Sequence, residues 1–387
     1  MTTKLLFLTA NEQLDGGLLQ SQMIRPVLTH FGDQAAIINL HRPLANRFRS
    51  DCIRTVNLPF LVPFRFINFQ NTFLLNEVVC LCYAVAIVVR TPSLLSGATL
   101  VCRGYVPSLV GWWLNRLFGV RYIFDPRSLY VHEHVGSGSI KEGSVIQRYW
   151  LWVERRLLRR AVRTVCVSKG MVTYYEGLGV RRNGPIVIIP CFATAPAPLS
   201  EQEKARVRQQ LGYADDDLVI AYYGSLNGGW NNLKMYTEFF QAAGAVGAKV
   251  LIISQDAPAL KESELALLPF TRIMGGPGVK PDEAAAMLGA ADYGVVLMGE
   301  VPDWETRLSV KFAEYTCGGL PVIVGKFVGE AARLVRANDL APSFIVDDMT
   351  RQMPLRKATP VERESIRSWA TGYFSQQNIM KLVSDER

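Results

Sequence analysis

The chain has 387 residues, of which 49% are hydrophobic, and it carries 42 Lys and Arg against 34 Asp and Glu. This length exceeds a usual single core, so two domains of roughly 200 residues each are expected. The composition argues against a disordered chain, and the longest apolar run, Val78 to Val89, is too short to span a bilayer.

Positive charge is concentrated in the first half of the chain. Residues 1–195 carry 22 Lys and Arg with 10 Asp and Glu, whereas the remaining residues carry 20 and 24. This asymmetry suggests that the first half faces an anionic partner, such as membrane lipid, a phosphate-bearing acceptor or nucleic acid. A soluble domain that happens to be rich in arginine is the open alternative.

The cysteines and the N-terminal residues both indicate in which cellular compartment the protein is expected. The cysteines lie mostly in apolar runs and show neither a CxxC pair nor a zinc-site spacing, which predicts buried thiols in a reducing compartment. They are Cys52, Cys80, Cys82, Cys102, Cys166, Cys191 and Cys317. The apolar run in "MTTKLLFLTANEQ" is short, so it predicts a first strand and not a signal peptide.

Apolar runs rich in Val, Ile and Leu alternate with helical stretches, which predicts doubly wound parallel α/β domains. The first series of predicted strands covers 4–9, 35–40, 99–102, 121–124, 164–168 and 186–190. After a Pro- and Ala-rich linker, the second covers 218–223, 249–253, 271–274, 293–297, 320–324 and 344–346. We therefore expect Rossmann-like domains at 1–195 and 196–360 with a cleft between them, whose ligands bind beyond the carboxyl ends of the strands. An amphipathic C-terminal helix in 361–387 would pack on its own domain or cross back to the first.

The stretch "RLSVKFAEYTCGGLPVIVG", residues 307–325, predicts a helix over 310–317. Ser309 is suited to cap its first turn, and Gly318-Gly319 can end it in a left-handed turn. Arg307, Lys311 and Glu314 follow an i, i+4, i+7 spacing that can line one side of a cleft. A lysine near the positive end of the helix dipole favours an anionic ligand in front of it. An exposed Lys/Glu pair of little energetic weight is the alternative.

A glycine-rich loop, "GSLNGGWNN", follows the first strand of the second series. Gly224, Gly228 and Gly229 would let backbone amides approach a phosphate, although a glycine-rich surface loop without a ligand fits equally well. Together with Lys311 and Glu314 it suits a nucleoside diphosphate, in which Lys311 meets phosphate oxygens and Glu314 accepts the ribose hydroxyls.

Three loops of the first half are candidates for an acceptor site. "DPRSLYVHEH" places Asp125, Arg127, His132, Glu133 and His134 together after one strand. The alternative is a structural Asp125–Arg127 turn pair beside solvated histidines. The glycine turn at Gly16 and Gly17, and Arg103 in "VCRGYVPS", fall on the same predicted sheet edge.

Two stretches combine aromatic and basic residues, which is typical of a peripheral membrane contact. One is "LPFLVPFRFINFQNTFLL", which contains Arg65. The other is "RYWLWVERRLLRRAVR", in which Trp150, Trp152 and Leu157 accompany Arg155, Arg156, Arg159, Arg160 and Arg163. Core aromatics beside a solvated arginine face are the alternative for each.

Several segments together resemble glycosyltransferase family 4, a group of retaining enzymes of the GT-B fold that use nucleotide sugars. "SVKFAEYTCGGLPVIVG" is similar to the family's S-P-x-K-x-x-E-Y-x-A-x-G-x-P-V-I segment, and "YIFDPRSLYVHE" to the D-x-R-G-x-x-x-x-E stretch of bacterial polysaccharide members. "AVRTVCVSKG", "IVIIPCFA", "YYGSLNGGW" and "AAAMLGAADYGVVLM" agree with further family segments in order and spacing. The resemblance covers nearly the whole chain.

This resemblance implies roles for particular residues. Lys311 would be the donor phosphate residue, Glu314 the ribose residue, and Gly224 with Ser225 the pyrophosphate cradle. The segment from Ile273 to Gly276, including Met274 and Gly275, would touch the base through its backbone. The resemblance also implies no metal and no cofactor, because the nucleotide sugar is a co-substrate.

The chain departs from the family pattern at three places. Thr306 stands where many members have the first of two glutamates, and Ser225 stands where many have an arginine. Arg307 or Arg103 is expected to take over the role of that arginine. The linker aspartate of the family is replaced by Thr194 or a neighbour.

The resemblance implies a glycosyltransferase that moves a sugar from a nucleotide-diphosphate donor, UDP favoured over GDP, to a glycan or lipid-linked acceptor in surface polysaccharide assembly. Catalysis would fall to Lys311, Asp125, Arg127 and Glu133, with Gly16, Gly17, Arg103 and His132 at the acceptor. A cytoplasmic location is expected, with the inner face of the cell membrane left open. A sugar-nucleotide 2-epimerase and a catalytically silent nucleotide-binding scaffold are the alternatives. A nucleic-acid partner is not expected, since no recognised module is present.

Overall fold

The computed structural model describes residues 4–10, 17–41, 53–59, 73–194, 196, 198–226, 232–277, 279–347 and 353–384. The chain divides into two compact units. Unit 1 comprises residues 1–190 and 376–387, and unit 2 comprises residues 191–375.

Unit 1 is built on a parallel sheet of seven strands in the order β3-β2-β1-β4-β5-β6-β7. The strands are β1 (Lys4–Ala10), β2 (Ala35–His41), β3 (Arg54–Pro59), β4 (Ala98–Arg103), β5 (Arg121–Asp125), β6 (Arg163–Cys166) and β7 (Ile186–Ile188). Six of them overlap the predicted strands, whereas β3 was not predicted. Its sequence, RTVNLP, mixes polar and apolar residues because it is an edge strand with one neighbour.

The helices of unit 1 cover a sheet whose central strands are apolar on both faces; Leu5, Leu6 and Leu8 of β1 are fully buried. They are α1 (Gly17–Leu19), α2 (Arg25–Phe31), α3 (Phe73–Arg90), α4 (Pro92–Leu95), α5 (Tyr105–Phe118), α6 (Tyr130–Gly136), α7 (Val145–Arg160) and α8 (Lys169–Gly177). The described part of unit 1 also contains a π-helical segment, Gln20–Ile24, and 3-10 turns at Gly32–Gln34 and Gln376–Leu382.

Unit 2 is built on a parallel sheet of six strands in the order β10-β9-β8-β11-β12-β13. The strands are β8 (Val219–Tyr223), β9 (Lys249–Ser254), β10 (Thr271–Gly275), β11 (Tyr293–Val296), β12 (Val322–Gly325) and β13 (Phe344–Val346). The helices are α9 (Glu201–Gln210), α10 (Leu233–Ala245), α11 (Ala257–Leu260), α12 (Pro281–Gly289), α13 (Val310–Cys317), α14 (Gly329–Ala337) and α15 (Pro360–Tyr373). The 3-10 turns Glu264–Leu267 and Trp304–Thr306 lie between them.

Helix α13 has the predicted bounds, but its N-terminal cap differs from the prediction. Ser309 occupies the N-cap position, yet its side chain makes no capping hydrogen bond. At the other end Gly319 adopts a φ of +71°, the left-handed turn expected there. A Cβ at Gly294 would stand only 2.3 Å from Cδ2 of the Tyr315 ring. Strand β11 and helix α13 therefore pack this closely only because residue 294 is glycine.

The C-terminal segment is divided between the units. In unit 2, Trp369 and Phe374 pack edge-on against Phe312 of α13, with ring centroids 6.4 and 6.1 Å away. Residues 376–384 belong to unit 1, where the guanidinium of Arg163 donates to the carbonyls of Lys381 and Ser384. Arg163 therefore anchors the tail and lies beyond the end of α7, instead of on the basic helix where it was predicted.

The cysteine prediction is correct for five of the six described cysteines. Cys80, Cys102, Cys166, Cys191 and Cys317 are buried, whereas Cys82 is exposed. Cys52, Arg65 and most of the aromatic stretch around it lie outside the described residues. None of the described helices has the length and apolar character needed to cross a membrane.

Candidate functional site

The predicted nucleotide-binding segments of unit 2 lie at the carboxyl edge of its sheet. Gly224 directly follows β8, Gly275 ends β10, and α13 follows β11 after a loop. Because the strands are parallel and run in the order β10-β9-β8-β11, these three segments lie at one edge of the sheet. The topology thus brings together segments that are far apart in the sequence.

Lys311 lies directly over the start of the glycine loop. Its Nζ is 5.4 Å from the centre of the Tyr222 ring, a cation–π distance. A Cβ at Gly224 would stand 2.6 Å from Lys311 Cε and 3.3 Å from Nζ, and Gly224 has a φ of +133°. The backbone conformation therefore favours glycine at position 224, and a side chain there would also push the end of Lys311 aside.

Burial changes the protonation equilibria of Lys311 and Glu314 in opposite directions. Desolvation lowers the pKa of Lys311, and the charge of Glu314 partly opposes this shift. Desolvation likewise raises the pKa of Glu314, against the effect of Lys311. Within the described part of the chain, Lys311 has no salt bridge and the Glu314 carboxylate has no hydrogen bond. The alternative of an exposed Lys/Glu surface pair is therefore wrong: both groups are half-buried, so each is poorly solvated.

The backbone around Ser225 is held by its neighbours. Tyr222 donates its hydroxyl to the Ser225 carbonyl at 2.7 Å, and Ser225 Oγ donates to Asp256 Oδ2 at 2.5 Å. Asp256, which follows β9, was not predicted as part of the site. The rule that ligands bind beyond strand ends would have found it, since it comes three residues after a predicted strand.

The predicted base-contacting segment ends β10 at the edge of the sheet. Met274 packs partly buried against the core of unit 2. Gly275 and Gly276 have φ values of +100° and +137°, and a Cβ at Gly275 would stand 2.5 Å from the Ser254 carbonyl oxygen. Two glycines in this conformation turn the backbone sharply just beyond the strand, and the Gly276 carbonyl accepts from the Val279 amide at 3.2 Å.

Arg307 does not continue the face of α13 that carries Lys311 and Glu314. The helix begins at Val310, and Arg307 follows the 3-10 turn Trp304–Thr306. Its guanidinium donates from Nε and Nη2 to Asp303 Oδ1 at 3.2 and 2.9 Å. The i, i+4, i+7 spacing was misleading here, because it describes one face only when all three residues are helical. Asp303, the partner of Arg307, was not foreseen.

In unit 1, Asp125 lies at the centre of a small cationic cluster. The register of the sheet pairs Asp125 at the end of β5 with Arg103 at the end of β4. Asp125 Oδ2 is 3.9 Å from Arg103 Nη1, and Oδ1 is 3.6 Å from Arg127 Nη1. Oδ1 is buried yet accepts no hydrogen bond from the described residues. Arg127 has a φ of +64°, a strained conformation for a residue with a side chain.

His132 and Glu133 lie on helix α6, which follows this loop, and not in the loop itself as predicted; their side chains have different hydrogen-bonding partners. Glu133 accepts from Ser128 Oγ at 2.6 Å, and His132 Nε2 lies 3.1 Å from the Tyr174 hydroxyl. The structure contains the Asp125–Arg127 pair of the alternative interpretation, but His132 and His134 are half-buried, so the solvated histidines of that alternative are wrong. Burial lowers the pKa of His134, although Glu133 partly opposes this.

Tyr174, the partner of His132, also contacts a buried carboxyl group, that of Glu154. Tyr174 donates to Glu154 Oε1 at 2.8 Å, and the hydroxyl of Tyr105 contacts Oε2. Glu154 is 1% exposed; desolvation raises its pKa to about 7, and the two tyrosine hydrogen bonds oppose that rise. Nothing in the sequence indicated this group, because a single glutamate in an arginine-rich amphipathic helix is usually solvated.

The remaining predicted residues are only partly described. Gly17 begins α1 at an exposed position with open space around it. Gly16, Gly228 and Gly229 lie outside the described residues. Where the structure describes side chains, no group of three or more His, Cys, Asp or Glu residues is placed to hold a metal ion.

Comparison with known proteins gives a family match for part of the chain. Residues 98–191, which contain Arg103, Asp125, Arg127, His132 and Glu133, match the model of the "Glycosyl transferase 4-like domain". No curated protein sequence matches the chain significantly.

Solved structures resemble the chain over nearly its whole length. Alr3699/HepE from Anabaena, in complex with UDP and glucose, is 14% identical with a TM-score of 0.64, and the match covers 100% of each chain. Sucrose-phosphate synthase from Thermosynechococcus elongatus is 17% identical with a TM-score of 0.60 over 98% of this chain and 94% of its own. WaaG, a glycosyltransferase involved in lipopolysaccharide biosynthesis, is 12% identical with a TM-score of 0.58 over 98% and 96%. These likenesses concern the fold, and they confirm the predicted GT-B class with two Rossmann-like parallel-sheet domains.

Proposed function

We propose that this protein is a retaining glycosyltransferase that moves a sugar from a nucleotide-diphosphate sugar to a glycan or lipid-linked acceptor, in the assembly of a surface polysaccharide at the cytoplasmic side of the membrane. The observation that carries the proposal is the placement of Lys311 over Gly224, next to Glu314, at the carboxyl edge of the unit 2 sheet. A bound diphosphate would give the desolvated ammonium the anionic partner that it lacks among the described residues.

The remaining groups of unit 2 suit the rest of the donor. The Glu314 carboxylate can accept both ribose hydroxyls, since no described residue hydrogen-bonds to it. The Gly275–Gly276 turn offers backbone groups to the base. UDP is favoured over GDP because the similar HepE structures hold UDP, UDP with glucose, or UDP-glucose.

The proposed reaction is a front-face substitution at the anomeric carbon. The bond from that carbon to the diphosphate oxygen breaks, and a bond to the acceptor oxygen forms on the same face. The acceptor proton leaves with the diphosphate. Lys311 and the amides of the glycine loop beyond Gly224 would stabilise the charge that develops on the leaving group, whereas the Gly224 amide itself donates to the Ile253 carbonyl at 2.9 Å. In unit 1, Asp125, Arg127 and Glu133 would orient the acceptor, with Arg103, His132, Gly16 and Gly17 around it. This chemistry requires neither a metal nor a further cofactor.

Nucleotide binding and turnover of matched variants test the proposal. A thermal-shift panel of nucleotide sugars identifies the donor, because a ligand that binds the native state raises the melting temperature. With that donor, Lys311→Ala is expected to lower turnover by about two to three orders of magnitude, the usual effect of losing a principal charge-stabilising group. Lys234→Ala, at an exposed lysine of α10, is the control and should be unchanged.

The alternatives give different results in the same assays. An epimerase would interconvert the sugar of the donor without any acceptor, whereas a transferase would give at most slow hydrolysis. A silent scaffold would bind nucleotide without turnover. Failure of every nucleotide sugar to shift the melting temperature would contradict the proposal.

A further inference from the structure

Helix α3 exposes an apolar face. Leu75, Val78, Cys82, Val85 and Val89 follow an i, i+3, i+7, i+10, i+14 spacing, which places them along one side of the helix. All five are exposed, and Val78 and Val89 are 56% and 73% exposed. The opposite side of α3 is apolar except for Asn76 and is buried against the core of unit 1. A helix that is mostly apolar on both sides normally has partners on both, so the outer side of α3 lacks one among the described residues.

The apolar face extends over the neighbouring helices of the same layer. Helix α5 packs between α3 and α7. It exposes Leu117 and Phe118 at its end, and α7 exposes Val145 and Trp152. We call the outer side of α3, α5 and α7 the α3 face. Isolated exposed apolar residues are common, but nine on three adjacent helices indicate an interaction surface.

The charges on the α3 face are all positive. The exposed charged residues of the three helices are Arg90, Arg116, Arg148, Arg155, Arg159 and Arg160. The only acidic residues of these helices are Glu77 and Glu154. Glu77 accepts hydrogen bonds from Trp113, Tyr149 and Arg156, and Glu154 is buried. The α3 face therefore presents arginine and apolar side chains with no exposed carboxylate among them.

We propose that the α3 face docks on an anionic lipid bilayer. The aliphatic side chains of α3 enter the boundary between headgroups and acyl chains, while the arginines contact lipid phosphates. Trp152 suits the interfacial depth, because its ring stacks on the Arg156 guanidinium at 4.2 Å and is 52% exposed. A second copy of the chain is a poorer occupant, since a two-fold contact would bring arginines against arginines. The inference is independent of the transferase proposal.

Vesicle flotation of the full chain tests the docking. Wild-type protein is expected to float with phosphatidylcholine vesicles that contain phosphatidylglycerol, and less with phosphatidylcholine alone or at high salt. The double variant Val78→Glu, Val85→Glu should lower the bound fraction at least about tenfold, because two carboxylates would have to enter the apolar boundary. The control variant Val361→Glu changes a residue that is 78% exposed in unit 2 and should float like the wild type.

A probe on Cys82 reports whether the α3 face itself enters the lipid. In a Cys52→Ser background, Cys82 is the one exposed thiol among the described cysteines, so an NBD label placed there should shift its emission to the blue on anionic vesicles. The same label at Val361→Cys, with Cys82→Ser added, should not shift. Unchanged flotation of the double variant would overturn the proposal, and so would a Cys82 label that stays solvated. Oligomerisation that is abolished by the same two glutamates would overturn it in favour of a second copy. Nucleotide affinity is measured on the same variants, so that a failure of membrane docking can be distinguished from a failure of the proposed transferase function.

Discussion

Lys311 crosses Gly224 so closely that its Cε lies 2.6 Å from the point where a Cβ at residue 224 would stand. Side chain and loop therefore depend on each other: the glycine leaves room for the lysine, and the lysine lies at the loop that is proposed to hold the diphosphate.

Gly224→Ala is expected to displace Lys311 and to weaken UDP binding. Gly276→Ala is the matched control for stability, since residue 276 has a similar φ, +137°, but open space around it. Both substitutions strain the backbone, at about 1–2 kcal/mol, whereas only the first also collides with a side chain. Urea unfolding should show a larger loss of stability for Gly224→Ala. Equal losses in the two variants would mean that Lys311 moves aside freely.

The affinity for UDP should fall at alkaline pH because of Lys311. Burial lowers the pKa of this lysine in the free protein, and an adjacent diphosphate would raise it again. Between those two values the complex binds one more proton than the free protein, so log Kd should rise by about one unit per pH unit. Calorimetry in buffers of different ionisation enthalpy measures the proton uptake. Lys311→Arg, which keeps its charge, should show no such slope; a slope that persists in it would assign the proton to another group.

Glu154 should make the native state less stable as the pH rises. Its pKa is about 7 in the folded protein, above the ordinary value of 4.5, so the folded state holds the proton more tightly than the unfolded chain. The stabilisation is full below about 4.5, is lost as the pH rises through 7, and amounts to on the order of 3 kcal/mol. Thermal unfolding between pH 5 and pH 8 should show this slope in the wild type and a flatter one in Glu154→Gln. The exposed Glu176→Gln variant is the control; a slope that survives in Glu154→Gln would refute the assignment.

At position 127 the glycine variant should be more stable than the alanine variant, which is the reverse of the usual order of stability. Both Arg127→Ala and Arg127→Gly remove the guanidinium, but only glycine adopts a φ of +64° without strain. The glycine variant should be more stable by about 1 kcal/mol, while both lose transfer activity if the residue orients the acceptor. At Arg90, an exposed helical position, alanine should be the more stable variant. The same order at both positions would contradict the strain at residue 127.

Local signals in the sequence predicted much of the framework. All twelve predicted strands overlap with observed ones, because continuous runs of Val, Ile and Leu are typical of strands covered on both faces. The bounds of α13 were predicted from a cap position and a pair of glycines, both of which act within one turn. The edge strand β3 was missed because an edge strand lacks the continuous apolar run of a central strand.

The sequence by itself thus determined the two parallel-sheet domains and the sheet edges on which the candidate residues lie, since strand periodicity and glycine turns are short-range properties. The tertiary structure alone decided that Lys311 is desolvated over Gly224, that Arg307 forms an ion pair with Asp303, and that Glu154 is buried among tyrosines. It also decided which side of α3 is exposed, because both sides are apolar in sequence and only the packing of neighbouring helices separates them. Burial, pKa and partner choice depend on residues that are distant in the chain, and spacing along the sequence does not encode those contacts.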